Sequence, residues 1–460
     1  MYRLSHSMTL KVSGIVAAFS AGRSGQGFGS GVMPVPSLGW VVIIWGFTLG
    51  YVFALVGALP ARMKEWDFGL YYASALSLRL GHNPYREPFT ALADRLGLHL
   101  NGIQTAVTTP TFLLAFEPLV NLPLGQAYWT WIGLLAACLV AALWLLLGRR
   151  WSRLPATTAL VLAALAILYG PTRTNFAAAQ SQILILLILA LMMRLLESGY
   201  DASAGLLLSG AVLLRAYPLF LGGYFMLKRR WRVIAFTVAG VLAGGIVTVV
   251  GIGPAMAFSF LGAVGLAPTT NFLSLNAIGS LPPQVAHSTD NGSIQNAMTM
   301  LFVLLYPRGS NQLATSIAVR LAEVILVVLT LAATRKDTDD QAQEWPELCL
   351  WVAAMIMLSP ISWEHYRVLL LIPYAQLVIA YNEGKASRAA LSMIVVSYCL
   401  TIVFDVVSMG LSVPAKGVRI LDLKWLPPLV LVQLMVPLSA YAVAYWTIRA
   451  GTTRRLAAQA

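Results

Sequence analysis

Charge is what this sequence has least of. Asp, Glu, Lys and Arg make up 11% of it, where a soluble domain carries about a quarter, so an ordinary water-soluble fold is excluded. Acids are the scarcer sign, with 18 Asp and Glu against 31 Lys and Arg. Cysteine is nearly missing. Cys138, Cys349 and Cys399 each lie in an apolar run without metal-ligand spacing, which excludes a disulfide scaffold. Neither a metal nor another cofactor is expected. A disordered chain is excluded as well, because 58% of the residues are hydrophobic and the mean hydropathy is +0.75. Apolar runs of membrane-spanning length recur from Leu38 to Trp446 and override the soluble-domain count that 460 residues would imply.

Spans of about 20 apolar residues are expected near 39–59, 126–147, 155–171, 180–196, 233–252, 312–334, 346–358, 366–381, 389–409 and 426–447. Two shorter pieces, 203–214 and 217–227, flank Arg215-Ala216-Tyr217-Pro218. At 1.5 Å per residue each is about 18 Å long or less, too short to cross a bilayer, so the pair reads as an in-and-back hairpin with its tip buried in protein. The expected fold class is therefore all-α, a polytopic integral membrane protein of about twelve helical segments.

The formal charge of +13 is explained by where the cations sit. Arg149, Arg150 and Arg153, then Lys228, Arg229, Arg230 and Arg232, then Arg335-Lys336, Lys385 and Arg388, and finally Arg449, Arg454 and Arg455 fall on alternate connections. That places them in the cytoplasm with both termini: a tail 1–38, a membrane domain 39–447 and a tail 448–460. The basic balance thus reads as topology, not as nucleic-acid binding. The connections 60–125 and 253–311 then lie outside the cell membrane. The first, with Trp66, Tyr71, Tyr72 and Tyr85, is expected to form interfacial helices and a re-entrant piece. The second carries Asn271, Asn276, Asn291 and Asn296. Long connections of this kind tend to be functional, so the chemistry is expected on that side.

Four places there hold reactive side chains. Asp67, beside Trp66, Phe68, Tyr71 and Tyr72, is a carboxylate that aromatics can desolvate, which suits a proton acceptor; an interfacial anchor is the alternative. Gly81-His82-Asn83-Pro84-Tyr85 reads as a turn, with His82 a solvated polar residue. Arg215, between two apolar half-helices, needs an anionic or polar partner, either a lipid phosphate matched to its fork or a structural acid. Glu364-His365-Tyr366 opens a helix after Ser359-Pro360, and His365 could orient substrate, bind phosphate or move a proton. Arg320 and Glu323 stand at i,i+3 and neutralise each other, while Asp405 has no assigned role.

Together these segments resemble glycosyltransferase family 87. The run Asp67-Phe68-Gly69-Leu70-Tyr71-Tyr72 with Gly81-His82-Asn83-Pro84-Tyr85 is similar to its first-loop signature. Thr109-Pro110-Thr111-Phe112 through Pro118-Leu119 resembles its Pro-rich re-entrant stretch, and Gln182 resembles the lead residue of a Gly-Gln-led helix. Arg215-Ala216-Tyr217-Pro218 resembles its hairpin tip, and Ser359 to Tyr366 resembles its Ser-Pro-x-x-Trp-x-His-Tyr motif. Ser181, Leu184, Thr109 and Thr111 depart from the usual pattern. The resemblance implies a GT-C membrane fold. It also implies inverting transfer of a hexose, mannose first, from a polyprenyl-phosphate donor to a lipid or glycan acceptor of the bacterial cell envelope. In that reading Asp67 is the general base and His365 a phosphate or acceptor contact. Arg215, Tyr71, Tyr72, Gln182 and Glu364 bind the donor, at the outer face of the plasma membrane.

Two other classes remain open on residues alone. A lipid-linked substrate flippase would show paired broken helices in corresponding halves, and only one broken element, at Arg215, is visible. A polysaccharide polymerase or ligase would concentrate Arg and His in one outer loop, whereas 253–311 holds only Arg308 and His287.

Overall fold

A computed structural model of the chain describes residues 35–64, 66–100, 105–106, 108–147, 154–263, 291–305, 312–334, 341–359, 362–384, 386–415, 418–421 and 426–459. Helix α1 (Leu38–Arg62) leads into α2 (Trp66–Arg79), α3 (Thr90–Leu96) and α4 (Pro110–Phe116). A 3-10 turn over Glu117–Asn121 follows, then α5 (Leu124–Leu147), α6 (Ala156–Leu168), α7 (Gly170–Ala178) and α8 (Gln182–Glu197). The hairpin is α9 (Asp201–Leu214), a 3-10 turn over Tyr217–Leu219, and α10 (Phe220–Leu227). After it come α11 (Trp231–Ile252), α12 (Pro254–Ala263), α13 (Ile294–Leu305), α14 (Gln312–Ala333) and α15 (Gln341–Leu358). A 3-10 helix over Glu364–Leu370 runs into α16 (Leu371–Asn382), followed by α17 (Arg388–Leu411) and α18 (Leu426–Gln459). Between the last two helices a short antiparallel hairpin, β1 (Ser412–Ala415) with β2 (Val418–Leu421), pairs Val413 with Ile420. It is an addition to the all-α expectation.

Helices occupy all the expected apolar segments. Among the described residues, five helices are long and apolar enough to cross a membrane, or six if a bent pair counts as one, fewer than the twelve segments expected. That pair is α6 and α7, bent by 49°. The sequence reading of 155–171 as one uninterrupted span is corrected here: Pro171 has no N–H to continue the ladder, and Tyr169 turns extended. Thr172 repairs the break, its hydroxyl donating to Ala166 O at 2.8 Å and its N–H to Tyr169 O at 2.9 Å.

The pattern of burial is that of a protein in lipid. α1, α11 and α14 turn large apolar side chains outward, Phe53 at 83% and Val250 at 80% exposure among them. The apolar stretches of α8 and α15 lie inside, with Ile183 to Met193 and Leu348 to Met357 lining the core. α9 crosses α11 closely enough that a Cβ on Gly205 would strike the Val233 carbonyl, and one on Gly240 would strike Ser209. Thr237 seals this crossing by donating to Gly205 O at 3.1 Å.

Candidate active site

The site grows from four turns that meet at one end of the bundle. The first is the start of α2, which brings Asp67, Phe68, Tyr71 and Tyr72 within about 1.4 turns of helix. Phe68 packs edge-on against Tyr128 and Phe116, and Tyr71 against Phe112 of α4, so the helix face carrying Asp67 and Tyr71 is fixed. Neighbouring residues on a helix point about 100° apart. Tyr72 therefore leaves the site and donates to Leu122 O at 2.9 Å. The structure thus brings Tyr71, and not the Tyr72 hydroxyl, to the Gln180 oxygen.

The second turn links α7 to α8. Ala179 adopts a left-handed conformation at φ 52, capping α7, and the Trp131 indole N–H holds its carbonyl at 2.8 Å. The turn delivers Gln180, Ser181 and Gln182, all buried. The third is the hairpin tip, where α9 ends and Arg215 turns extended. Thr109, which caps α4 through Phe112 N–H, donates its hydroxyl to Leu213 O at 2.7 Å and so ties the first connection to this tip. The fourth is the 3-10 segment Glu364–Leu370. Asn175 of α7 holds it by donating to His365 O at 2.8 Å.

At the centre, Arg215 Nη2 donates to Tyr71 Oη at 2.9 Å and to Gln180 Oε1 at 3.2 Å. Tyr71 donates to the same Gln180 oxygen at 2.7 Å. Two residues beyond Arg215, Tyr217 donates to Gln182 Oε1 at 2.5 Å and stacks on Tyr366, ring centres 5.1 Å apart. The His365 ring lies edge-on to Tyr366 at 5.0 Å. A continuous chain of contacts thus joins α2 to Arg215, Tyr217, Tyr366 and His365.

The electrostatics follow from burial. Burial raises the Asp67 carboxyl above the usual carboxylate range, opposed by the Gln180 amide and then by the Arg215 charge. Burial, then the charges of Arg215 and Arg367, hold the His365 imidazole well below the ordinary histidine range. At neutral pH that ring is neutral. Its Nε2, like Gln182 Nε2, is buried without a hydrogen-bond partner among the described residues. Arg215 is only half-buried, and no salt bridge among the described residues joins it to an acid. A cation held by neutral dipoles beside a partly desolvated carboxylate can bind an anion and accept a proton at adjacent points.

The structure brings Asp67, Tyr71, Gln182, Arg215 and His365 into one neighbourhood. Glu364 is buried in the same turn as His365. His82 is exposed and pairs with Glu87 at 3.0 Å, away from the cluster. Arg320 and Glu323 pair at 2.6 Å, as their spacing implied. Asn271, Asn276, His287, Arg308 and Glu65 lie outside the described residues, as does the side chain of Asp405. Gln180, Tyr217 and Asn175 were missed. Their signal was polar residues standing together inside apolar sequence, Gln180-Ser181-Gln182 most plainly. Among the described residues no group of His, Cys, Asp or Glu is arranged to hold a metal ion.

Comparison with known proteins gives one match. The family model of glycosyltransferase family 87 covers residues 108–360, from helix α4 to the turn before His365. No curated protein and no solved structure matches the chain.

Proposed function

Because the chain belongs to glycosyltransferase family 87 and is a helical membrane glycosyltransferase, we propose that it transfers a hexose, mannose first, from a polyprenyl-phosphate donor. The acceptor is a lipid or glycan of the cell envelope, and transfer occurs with inversion at the outer face of a bacterial plasma membrane. The observation that carries this reading is the Asp67–Gln180–Tyr71–Arg215 cluster, which sets a proton acceptor beside a cation free of any carboxylate bridge among the described residues.

In the transfer step the acceptor hydroxyl attacks the anomeric carbon while its proton passes to the Asp67 carboxylate. The bond from that carbon to the phosphate oxygen breaks, and its electron pair leaves on the phosphate. One displacement at one carbon inverts it. Arg215 neutralises the charge that develops on the leaving group, with neutral His365 able to donate a further hydrogen bond. Gln182 and Tyr71 orient the sugar and phosphate, and the donor tail lies along the apolar helices.

A flippase reading gains one observation, the second broken element at α6 and α7. Both breaks fall in the first half of the chain, however, unlike the paired half-helices in corresponding halves of a transporter. The test is to incubate purified protein with a panel of polyprenyl-phosphate sugars and measure donor consumption. Consumption of one hexose donor, dependent on Asp67, supports the reading; movement of intact donor across vesicles without cleavage overturns it. The side is tested by impermeant thiol labelling of Arg86→Cys and Arg388→Cys, both exposed positions, in intact spheroplasts on a cysteine-free background. Labelling at 86 alone is expected, and labelling at 388 alone inverts the topology.

A further inference from the structure

The part of the second long connection that leads into α13 is built into the turn that carries His365. Ser362 N–H donates to Asn291 Oδ1 at 2.9 Å, and Gly292 N–H donates to Ser362 O at 2.9 Å. Both backbone groups of Ser362 are thus held by two consecutive residues about seventy positions earlier in the chain. The Asn291 oxygen also accepts from Ser293 N–H at 3.2 Å. Asn296 in turn donates to Asn291 O at 2.6 Å, and Ser293 Oγ accepts from Asn296 N–H at 3.1 Å. All of these residues are buried. The segment is a rigid knot at the start of α13, not a loop lying loosely on the surface.

Gly292 has a second contact. A Cβ built on it would strike the Arg367 guanidinium and stand 3.1 Å from the Gln433 carbonyl of α18. Its φ lies outside the left-handed region, so what the glycine supplies is space, not backbone freedom. Arg367 is wholly buried, so its guanidinium cannot swing aside into solvent. It lies two residues after His365 in the same 3-10 helix and acts electrostatically on the His365 ring.

From these contacts we infer that Asn291 and Gly292 are positioning residues for the transfer reaction: they latch Ser362 and seat Arg367 so that His365 and Tyr366 face the Arg215 cluster. The latch also makes the second outer connection part of the site, because Asn291 and Gly292 hold the histidine turn from one side while Asn175 holds it from the other. The consequence for transfer rests on the proposed function; the latch itself rests on geometry alone.

The experiment measures both. In a purified transfer assay with a polyprenyl-phosphate hexose, Gly292→Ala is expected to lower kcat about 10- to 100-fold, as displacement of a contact group by about 1 Å does, with the donor KM changed less than about threefold. Arg367→Lys shortens and narrows the head and relieves the clash, so the rate of the double variant Gly292→Ala/Arg367→Lys should be about fivefold or more above the rate that multiplying the two single losses would give. Asn291→Ala removes the acceptor without adding bulk, and it is the variant of record if Gly292→Ala does not fold. A Gly292→Ala enzyme at the normal rate, or a double variant that merely multiplies the single losses, overturns the inference. A second readout needs no activity. Ser362 is buried and its hydroxyl has no hydrogen-bond partner among the described residues, so Ser362→Cys sacrifices no bond to any of them. On a cysteine-free background that thiol should resist a small maleimide, and Gly292→Ala or Asn291→Ala should speed labelling about tenfold. Unchanged labelling in both removes the latch even if transfer is never detected, whereas faster labelling without any transfer activity retains the latch and removes the proposed function.

Discussion

Helix α9 runs between two ends of the bundle that hold charge in opposite ways. At its start, Asp201 meets Arg230 at 3.4 Å, and nearby Arg194 pairs with Glu197 at 2.7 Å and Lys228 with Glu347 at 2.6 Å. About 20 Å further along, at 1.5 Å per residue, Arg215 is held by a tyrosine hydroxyl and a glutamine carbonyl instead. A carboxylate partner fixes a cation and cancels it. Neutral dipoles fix a cation and leave its charge to act on something else. The paired end is therefore read as architecture, and the dipole-held end as the place where an anion arrives.

The largest effects should separate the two ends cleanly. Asp67→Asn keeps the shape of the side chain but cannot take a proton, so transfer should fall about 10²–10⁴-fold while donor binding persists. Loss of donor binding of the same size would mean that Asp67 serves the cluster as a structural acid. At the paired end, Glu347→Gln removes the close partner of buried Lys228, which costs about 3–5 kcal/mol of stability. The melting temperature should fall, with the rate per folded molecule unchanged. A catalytic loss without a stability loss there would break the contrast.

Next in size is Arg215 itself. Arg215→Ala should lower transfer about 10²–10³-fold, the range for removing a donor that meets developing charge. Arg215→Lys should recover part of it, as a point charge without the fork. Both variants should melt close to the parent chain, since Arg215 is half-buried and bridges no acid among the described residues. A large drop in melting temperature would place Arg215 with the paired residues.

How much of this was legible beforehand depends on the kind of residue. Arg215 could be found because a charge inside apolar sequence is costly and calls for an explanation, and Asp67 because aromatics flank it. The hairpin could be found because two apolar pieces were too short to span. Gln180 could not, because a neutral amide carries no such penalty, and its partner Tyr71 lies 109 positions away. The different partners of Tyr71 and Tyr72 could not be read from their adjacency, because a helix turns neighbouring residues about 100° apart. The bend at Tyr169 was overlooked although Gly170-Pro171 marked it, since the run was measured for apolar length alone. The Asn291–Ser362 pairing joins two segments whose connection lies in the amino-acid pattern of neither.

The pH profile sharpens the comparison with a smaller signal. A base must be deprotonated, and burial raises the Asp67 carboxyl, so the base form is lost as pH falls through a value above the ordinary carboxylate range. The acid limb of kcat/KM should therefore lie above that range. His365 is shifted the other way and stays neutral across the same interval, so His365→Gln should lower the rate without moving the limb. A limb that moves in His365→Gln would hand the titration to the histidine.

The smallest expected effect tests whether the dipoles around Arg215 matter individually or only as a cradle. Tyr217 offers two separable contributions, a hydroxyl donating to Gln182 Oε1 at 2.5 Å and a ring stacked on Tyr366. Tyr217→Phe removes the first and keeps the second. A neutral hydrogen bond contributes about 1 kcal/mol net, which corresponds to about a fivefold fall in transfer. Tyr217→Leu removes the stack as well, worth a further 0.5–1.5 kcal/mol or so, and should fall about two- to tenfold below Tyr217→Phe. Both should remain well above Arg215→Ala, because each loses a neutral contact while the cation stays in place. If Tyr217→Phe instead matched Arg215→Ala, the charge would have no privileged part in the site. The contrast between the two ends would then reduce to one of packing.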